Sequence, residues 1–221
     1  MNLLFGEYEL KDCRREVEYI EDLFKNIQVR YKKLLKFFGL KKIDRPVRIV
    51  VWDSLDGFRK NEIKQGRKIV PDWLCGVART EQDFYSISTL TLEELAKTKA
   101  YRNPTLRDLE NLIVHEIVHS LHNSFCLETG TNPNCRWLSE ALATSLSDQS
   151  YRIEFDCTEI QLINDDFISY DTCRVIGDYL LNVKGESYIK RLLVDTKFLG
   201  DEIPNIYSGA KAYYENLSMN I

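Results

Sequence analysis

Apolar positions recur in steps of three and four through the start of the chain. Cys13, Val17, Ile20, Phe24, Ile27, Tyr31, Leu34 and Phe38 form one stripe on a helical repeat. A long amphipathic helix is therefore expected over residues 7–38, stopped by Gly39. Its stripe is read as a face docked on a core. The pattern changes at "PVRIVVWDS", residues 46–54, where β-branched residues follow a proline and predict a strand. Ser54 then has the position of an N-cap for a short helix to about Lys64. "GRKIVPD" reads as a loop. "WLCGVART" and "DFYSISTL" read as two strands joined at the polar pair "EQ".

Thr91 and Glu94 have capping-box spacing for a helix to about Lys99. Thr105, after Pro104, caps the helix that carries "NLIVHEIVHSLH", residues 111–122. "CLETGTNPNC", 126–135, is expected to be a loop. From Arg136 onward only helical patterns appear, at about 136–149, 169–183, 186–196 and 205–217, with Gly185 between the second and third. The layout predicts an α+β fold. It has a long N-terminal helix, a small mixed or antiparallel sheet, and an all-helical C-terminal half. One domain is expected over 1–221, with an α/β lobe at 1–125 and a helical lobe at 126–221.

Composition narrows the function classes. The chain has 221 residues, 44% hydrophobic and 29% charged, as expected of a globular protein with a substantial core. Its net charge of −4 gives no electrostatic footprint for nucleic acid, and the short basic runs "RYKK" and "LKKIDR" sit beside acidic neighbours. No run approaches the roughly 18 apolar residues of a membrane span. The start, "MNLLFGEYELKD", lacks the basic and apolar regions of a signal peptide, so a cytoplasmic location is expected. Six scattered cysteines without CxxC spacing are then read as reduced and structural. Cys126 and Cys135 flank one loop and are the pair to watch if the protein is exported. Oligomeric state is not legible.

All three histidines of the chain lie in residues 111–122. His115-Glu116-Ile117-Val118-His119 matches HExxH, which shuffling this composition yields in only about 0.2% of cases. Histidines four apart on a helix lie about 40° apart around it and one turn along, so both rings can reach one zinc ion. Glu116, about 100° from His115, flanks the same point and can reach a water there. Leu112, Ile113, Val114, Ile117, Val118 and Leu121 make this helix apolar almost all round. Polar groups buried in such a helix need a partner, and a metal ion supplies one. His122, two turns beyond His115 and about 10.5 Å away along the axis, is a poor co-ligand with it. It is read as a neighbour at the rim.

A catalytic zinc site takes three protein ligands and keeps one open position. No histidine is left for the third, so a metzincin pattern is excluded and a carboxylate is required. Glu140, in "WLSEALA" on the next helix, is the best candidate. Ser139, Ala141, Ala143, Ser145 and Ser147 are small and allow that helix to come close. Glu128 and Asp148 compete with it.

"HEIVH" followed by "WLSEALA" resembles the gluzincin zinc metallopeptidases, the thermolysin-like and aminopeptidase N–like group, whose pattern is HExxH plus a downstream glutamate in a W-x-x-E-(G/A)-x-A context. "YDTCRVIGDYLLNVKG", 170–185, is similar to a further family segment whose leading tyrosine donates to the tetrahedral oxyanion. The resemblance covers about residues 46–196 and is nearest to the small, single-domain peptidase MA-like proteins. It implies a minimal gluzincin fold, a peptide or protein substrate, and one zinc per chain held by His115, His119 and Glu140. Glu116 is the implied general base and Tyr170 the oxyanion donor, with Tyr151 and Tyr179 as substitutes. "CGVART", 75–80, would be the edge strand that binds substrate, with Gly76, Val77 and Ala78 in contact with it.

Two features depart from the family. Thr144 stands where thermolysin-like enzymes place an aspartate that supports a zinc histidine. No G-x-M-E-N strand is present to capture a free N-terminus, which favours endopeptidase action. The alternatives are a non-catalytic zinc-binding protein that retains the site, and a regulatory or toxin-like protease acting on one protein partner. The intact Glu116 argues against the first.

Overall fold

The structure, a computed structural model, describes residues 5–11, 18–132, 135–149 and 152–219. Helix α1, Ile20–Phe38, buries Ile20, Leu23, Phe24, Ile27, Tyr31, Leu34 and Phe38, so the expected stripe is a core face. Gly39, at φ 73°, ends the helix in the left-handed region that glycine enters without steric cost. The expected start at residue 7 is corrected: Phe5–Lys11 is strand β1. "YELK" alternates apolar and polar, and its backbone pairs with a distant strand, which a helical period cannot reveal. Cys13 and Val17, the first two positions of the stripe, lie outside the described residues.

Strands β2 (Val47–Trp52), β3 (Gly76–Thr80) and β4 (Tyr85–Leu90) complete a sheet of order β1-β2-β4-β3. β2 runs parallel to both β1 and β4, and β3 runs antiparallel to β4. The sheet is thus mixed, and the fold is α+β. Val47, Ile49, Val50 and Val51 are all buried, as in a central strand covered on both faces.

Helix α2, Leu55–Lys64, begins where expected, with Gly57 N–H donating to Ser54 Oγ at 3.0 Å. Helix α3 is a single turn, Leu92–Leu95, and stops short of Lys99. Thr91 makes no side-chain cap there. The Glu94 carboxylate instead accepts from Leu55 N–H at 2.9 Å and caps α2.

Helix α4 spans Leu106–Thr129. Thr105 and Asp108 cap each other's backbone N–H, at 3.2 and 2.7 Å. Leu109, Leu112, Ile113, Val114, Ile117, Val118 and Leu121 are buried. The helix continues four residues into the expected 126–135 loop, to the left-handed Gly130. Five helices follow: α5 (Arg136–Leu146), α6 (Glu159–Ile163), α7 (Tyr170–Tyr179), α8 (Glu186–Val194) and α9 (Thr196–Ser218). α7 leads into a π-turn at Leu180–Lys184 before Gly185. The short α6 was not expected. α9 starts nine residues before the expected 205, capped by Asp195, which accepts from Phe198 N–H at 2.8 Å, and it carries Pro204 in its interior.

Chain contacts divide the protein into two compact units, 1–36 with 40–120 and 37–39 with 121–221. The first holds the sheet, α2, α3 and most of α1. The second holds α5 to α9. α4 belongs to both, crossing from one to the other without a break. No helix among the described residues is long and apolar enough to cross a membrane.

Candidate metal centre

His115 and His119 are one turn apart on α4, and their Nε2 atoms approach to 3.1 Å, with ring planes at 75°. A tetrahedral zinc ion at about 2.1 Å from each nitrogen sets its ligand atoms about 3.4 Å apart. The two rings therefore lie close to one edge of that tetrahedron. His115 and Glu116 are buried and His119 is half-buried.

The third side chain comes from α5, and several contacts fix that helix. Its first N–H groups, which a helix cannot satisfy itself, donate to one carboxylate from beyond α6: Arg136 N–H to Asp165 Oδ2 at 2.9 Å and Trp137 N–H to Asp165 Oδ1 at 3.1 Å. The negative charge also suits the positive end of the helix. Trp137 Nε1 donates to Leu162 O at 3.1 Å. On the α7 side, Gly177 lets the two backbones meet, since a Cβ there would lie 2.1 Å from Ala141 O. Towards α4, His122 Nδ1 and Ser139 Oγ are 3.2 Å apart. His122 is buried and holds the residue next to Glu140.

The ligand atoms of His115, His119 and Glu140 all lie within 4.8 Å of one another. These residues lie close enough to bind one metal ion, and two imidazole nitrogens with a carboxylate oxygen are a donor set that zinc accepts. Neither competing carboxylate joins them among the described residues. Glu128 is exposed, and Asp148 faces Arg174 at 3.7 Å. Thr144 is fully buried, and its hydroxyl donates to Glu140 O at 2.8 Å and Ala141 O at 3.0 Å. It is turned to its own helix and does not take the part of the aspartate that thermolysin-like enzymes place there.

The other expected residues also take definite places. Gly76 begins β3, the sheet's edge strand, with β4 as its only strand neighbour among the described residues. A Cβ at Gly76 would stand 2.9 Å from both Glu116 Oε1 and Leu112 Cδ1, so the strand backbone runs directly against the Glu116 carboxylate. Val77 is buried and Ala78 half-buried. Tyr170 is the first residue of α7, after the N-cap Ser169, which accepts from Thr172 N–H at 3.2 Å. It lines one small pocket together with Glu140. Of the substitutes, Tyr179 packs its ring against Gly209, and Tyr151 lies outside the described residues.

Cys75, Cys126, Cys135, Cys157 and Cys173 are free thiols. Burial pushes each of them up, Cys135 to about 12 and Cys157 to about 11. All five stay protonated near neutrality, so none has the thiolate character of a nucleophile.

Sequence reasoning missed Asp165, the pairing of His122 with Ser139, and the close approach at Gly177. Asp165 follows an Asn in a turn and has φ 54°, a conformation that Asp and Asn favour. That signal marks a turn but not the helix it caps, which begins 29 residues earlier. Comparison with protein-family models, with curated proteins and with solved structures finds no match.

Proposed function

We propose that the chain is a zinc-dependent peptide hydrolase of gluzincin type, acting as an endopeptidase. The observation that carries this reading is the convergence of His115, His119 and Glu140, with Glu116 on the turn between the two histidines. A two-histidine, one-carboxylate set also suits non-haem iron. Glu116 favours hydrolysis, because a buried carboxylate beside the ligands serves a proton transfer that iron oxygenation does not need.

His115, His119 and Glu140 would hold a zinc ion here, which when bound would lower the pKa of a bound water to about 7 and polarise a carbonyl. Glu116 accepts the proton of the attacking water and returns it to the leaving amine. Tyr170 donates a hydrogen bond to the developing oxyanion, a contribution of about 2 to 4 kcal/mol for such donors. The outer edge of β3 pairs with the substrate main chain, and Gly76, lacking a Cβ, lets β3 itself lie against Glu116, so that the paired chain runs beside the base. Arg136 N–H and Trp137 N–H are already held by Asp165, so the frame that presents Glu140 is set before substrate arrives.

The test is digestion of a proteome-derived peptide mixture by the zinc-reconstituted chain. Cleavage that stops with 1,10-phenanthroline and returns with added zinc is the expected result. Cleavage indifferent to the chelator contradicts the mechanism. A zinc-loaded chain that cleaves nothing assigns the protein to the non-catalytic alternative.

A further inference from the structure

We infer that the pocket between the start of α5 and the start of α7 is a specificity pocket for a small apolar side chain next to the scissile bond. The inference rests on the proposed hydrolase reading and adds the class of substrate.

Position comes first. Trp137, Glu140, Phe167, Ile168, Tyr170 and Cys173 line the pocket. Glu140 is the proposed third metal ligand and Tyr170 the proposed oxyanion donor, so one holds the metal that would meet the scissile carbonyl and the other donates to that carbonyl's oxygen. A side chain seated between them belongs to a residue directly beside that carbonyl.

Chemistry comes second. Trp137, Ile168 and Cys173 are 1%, 6% and 1% exposed and make an apolar floor. The one strong donor on it is committed elsewhere, since Trp137 Nε1 donates to Leu162 O. At the mouth the Arg136 guanidinium lies over the Phe167 ring, 5.3 Å from its centre, and Phe167 meets Tyr170 edge-on at 6.5 Å. The cation is thus held on an aromatic face at the rim. Apart from Glu140, the other charged residue of the lining, Asp166, is exposed like Arg136, so a polar group that reaches the buried floor loses water without gaining a partner there.

Size decides between apolar candidates. The cavity volume is about 10 Å³, about the least that holds one water, so nothing larger than a methyl group enters without displacing the lining. Alanine fills it. Glycine leaves it empty, and the missing methyl costs about fourfold in rate. Leucine or phenylalanine must displace the buried floor, and overpacking of that kind lowers the rate about 10- to 100-fold.

The experiment is a set of quenched fluorescent peptides that differ only at the two residues flanking the cleaved bond, read as relative kcat/KM. Wild type is expected to prefer alanine over glycine, leucine and phenylalanine at one of the two positions. Ile168→Ala removes part of the floor and should raise the leucine-to-alanine ratio at that same position by about tenfold or more. Should that variant fail to fold, Phe167→Ala, at a 55% exposed rim position, should widen the tolerance at that position only. A wild type that cleaves without preference at either position overturns the pocket and leaves the hydrolase reading standing. So does an unchanged ratio in a folded, zinc-loaded variant. A wild type that binds zinc and cleaves none of the peptides overturns both.

Discussion

Glu116→Gln is expected to keep its zinc and to lose peptide hydrolysis by about 10²- to 10⁴-fold, the usual worth of a general base. Glutamine has the same shape as glutamate, so it keeps the packing against Leu112 and the backbone of Gly76, where a Cβ would find Glu116 Oε1 only 2.9 Å away. It also keeps an oxygen that can accept a hydrogen bond. It loses the ability to take a proton from water. The proposed metal ligands His115 and His119 are untouched. Zinc content by mass spectrometry and kcat/KM on one peptide separate the two effects. Loss of both together would make Glu116 a structural residue, and unchanged turnover would remove it as the base.

Gly177→Ala is expected to destabilise the chain and weaken the metal site. Two effects oppose each other. Alanine is the better helix former by about 1 kcal/mol. Its Cβ, however, would stand 2.1 Å from Ala141 O and 2.3 Å from Ser145 Oγ, and a backbone oxygen cannot turn away. Helices α5 and α7 must part, at a cost of about 3 kcal/mol or more. The clash wins, and a net loss of about 2 kcal/mol lowers Tm by roughly 4 to 8 °C for a chain of this size. Ala141 is the neighbour of Glu140, so zinc affinity should fall as well. Gly200→Ala in α9 is the control. Nothing lies within 4 Å of its Cβ, so helix propensity alone should act and raise Tm slightly. Calorimetry of the two variants, with and without zinc, checks both signs. Equal Tm values would mean that the α5–α7 contact is not as close as described.

The local features of the site were legible in the sequence because helix geometry fixes them. Two histidines four apart face one point on any helix, and Nε2 atoms 3.1 Å apart are the result. Glu140 was legible by elimination, since no histidine remained for a third ligand. Residues whose roles depend on distant chain were not legible. Asp165 caps a helix that starts 29 positions earlier, and β1 is a strand because β2 pairs with it. The early start of α9 was hidden by Pro204, which reads as a boundary in sequence although Asp195 caps the helix nine residues before it. The four extra residues of α4 were hidden by the Gly and Pro of the loop that follows.

The central claim is that His115, His119 and Glu140 together hold one zinc ion. Zinc titration of the metal-free chain, followed by elemental analysis after gel filtration, tests it most directly. One zinc per wild-type chain is expected, and affinity should fall by more than about 100-fold in Glu140→Ala and in His119→Ala, since even the outer partners of a zinc ligand are worth 10- to 100-fold. The same loss should not appear in Glu128→Ala. No zinc on the wild type, or one zinc bound equally well by Glu140→Ala, would contradict the account.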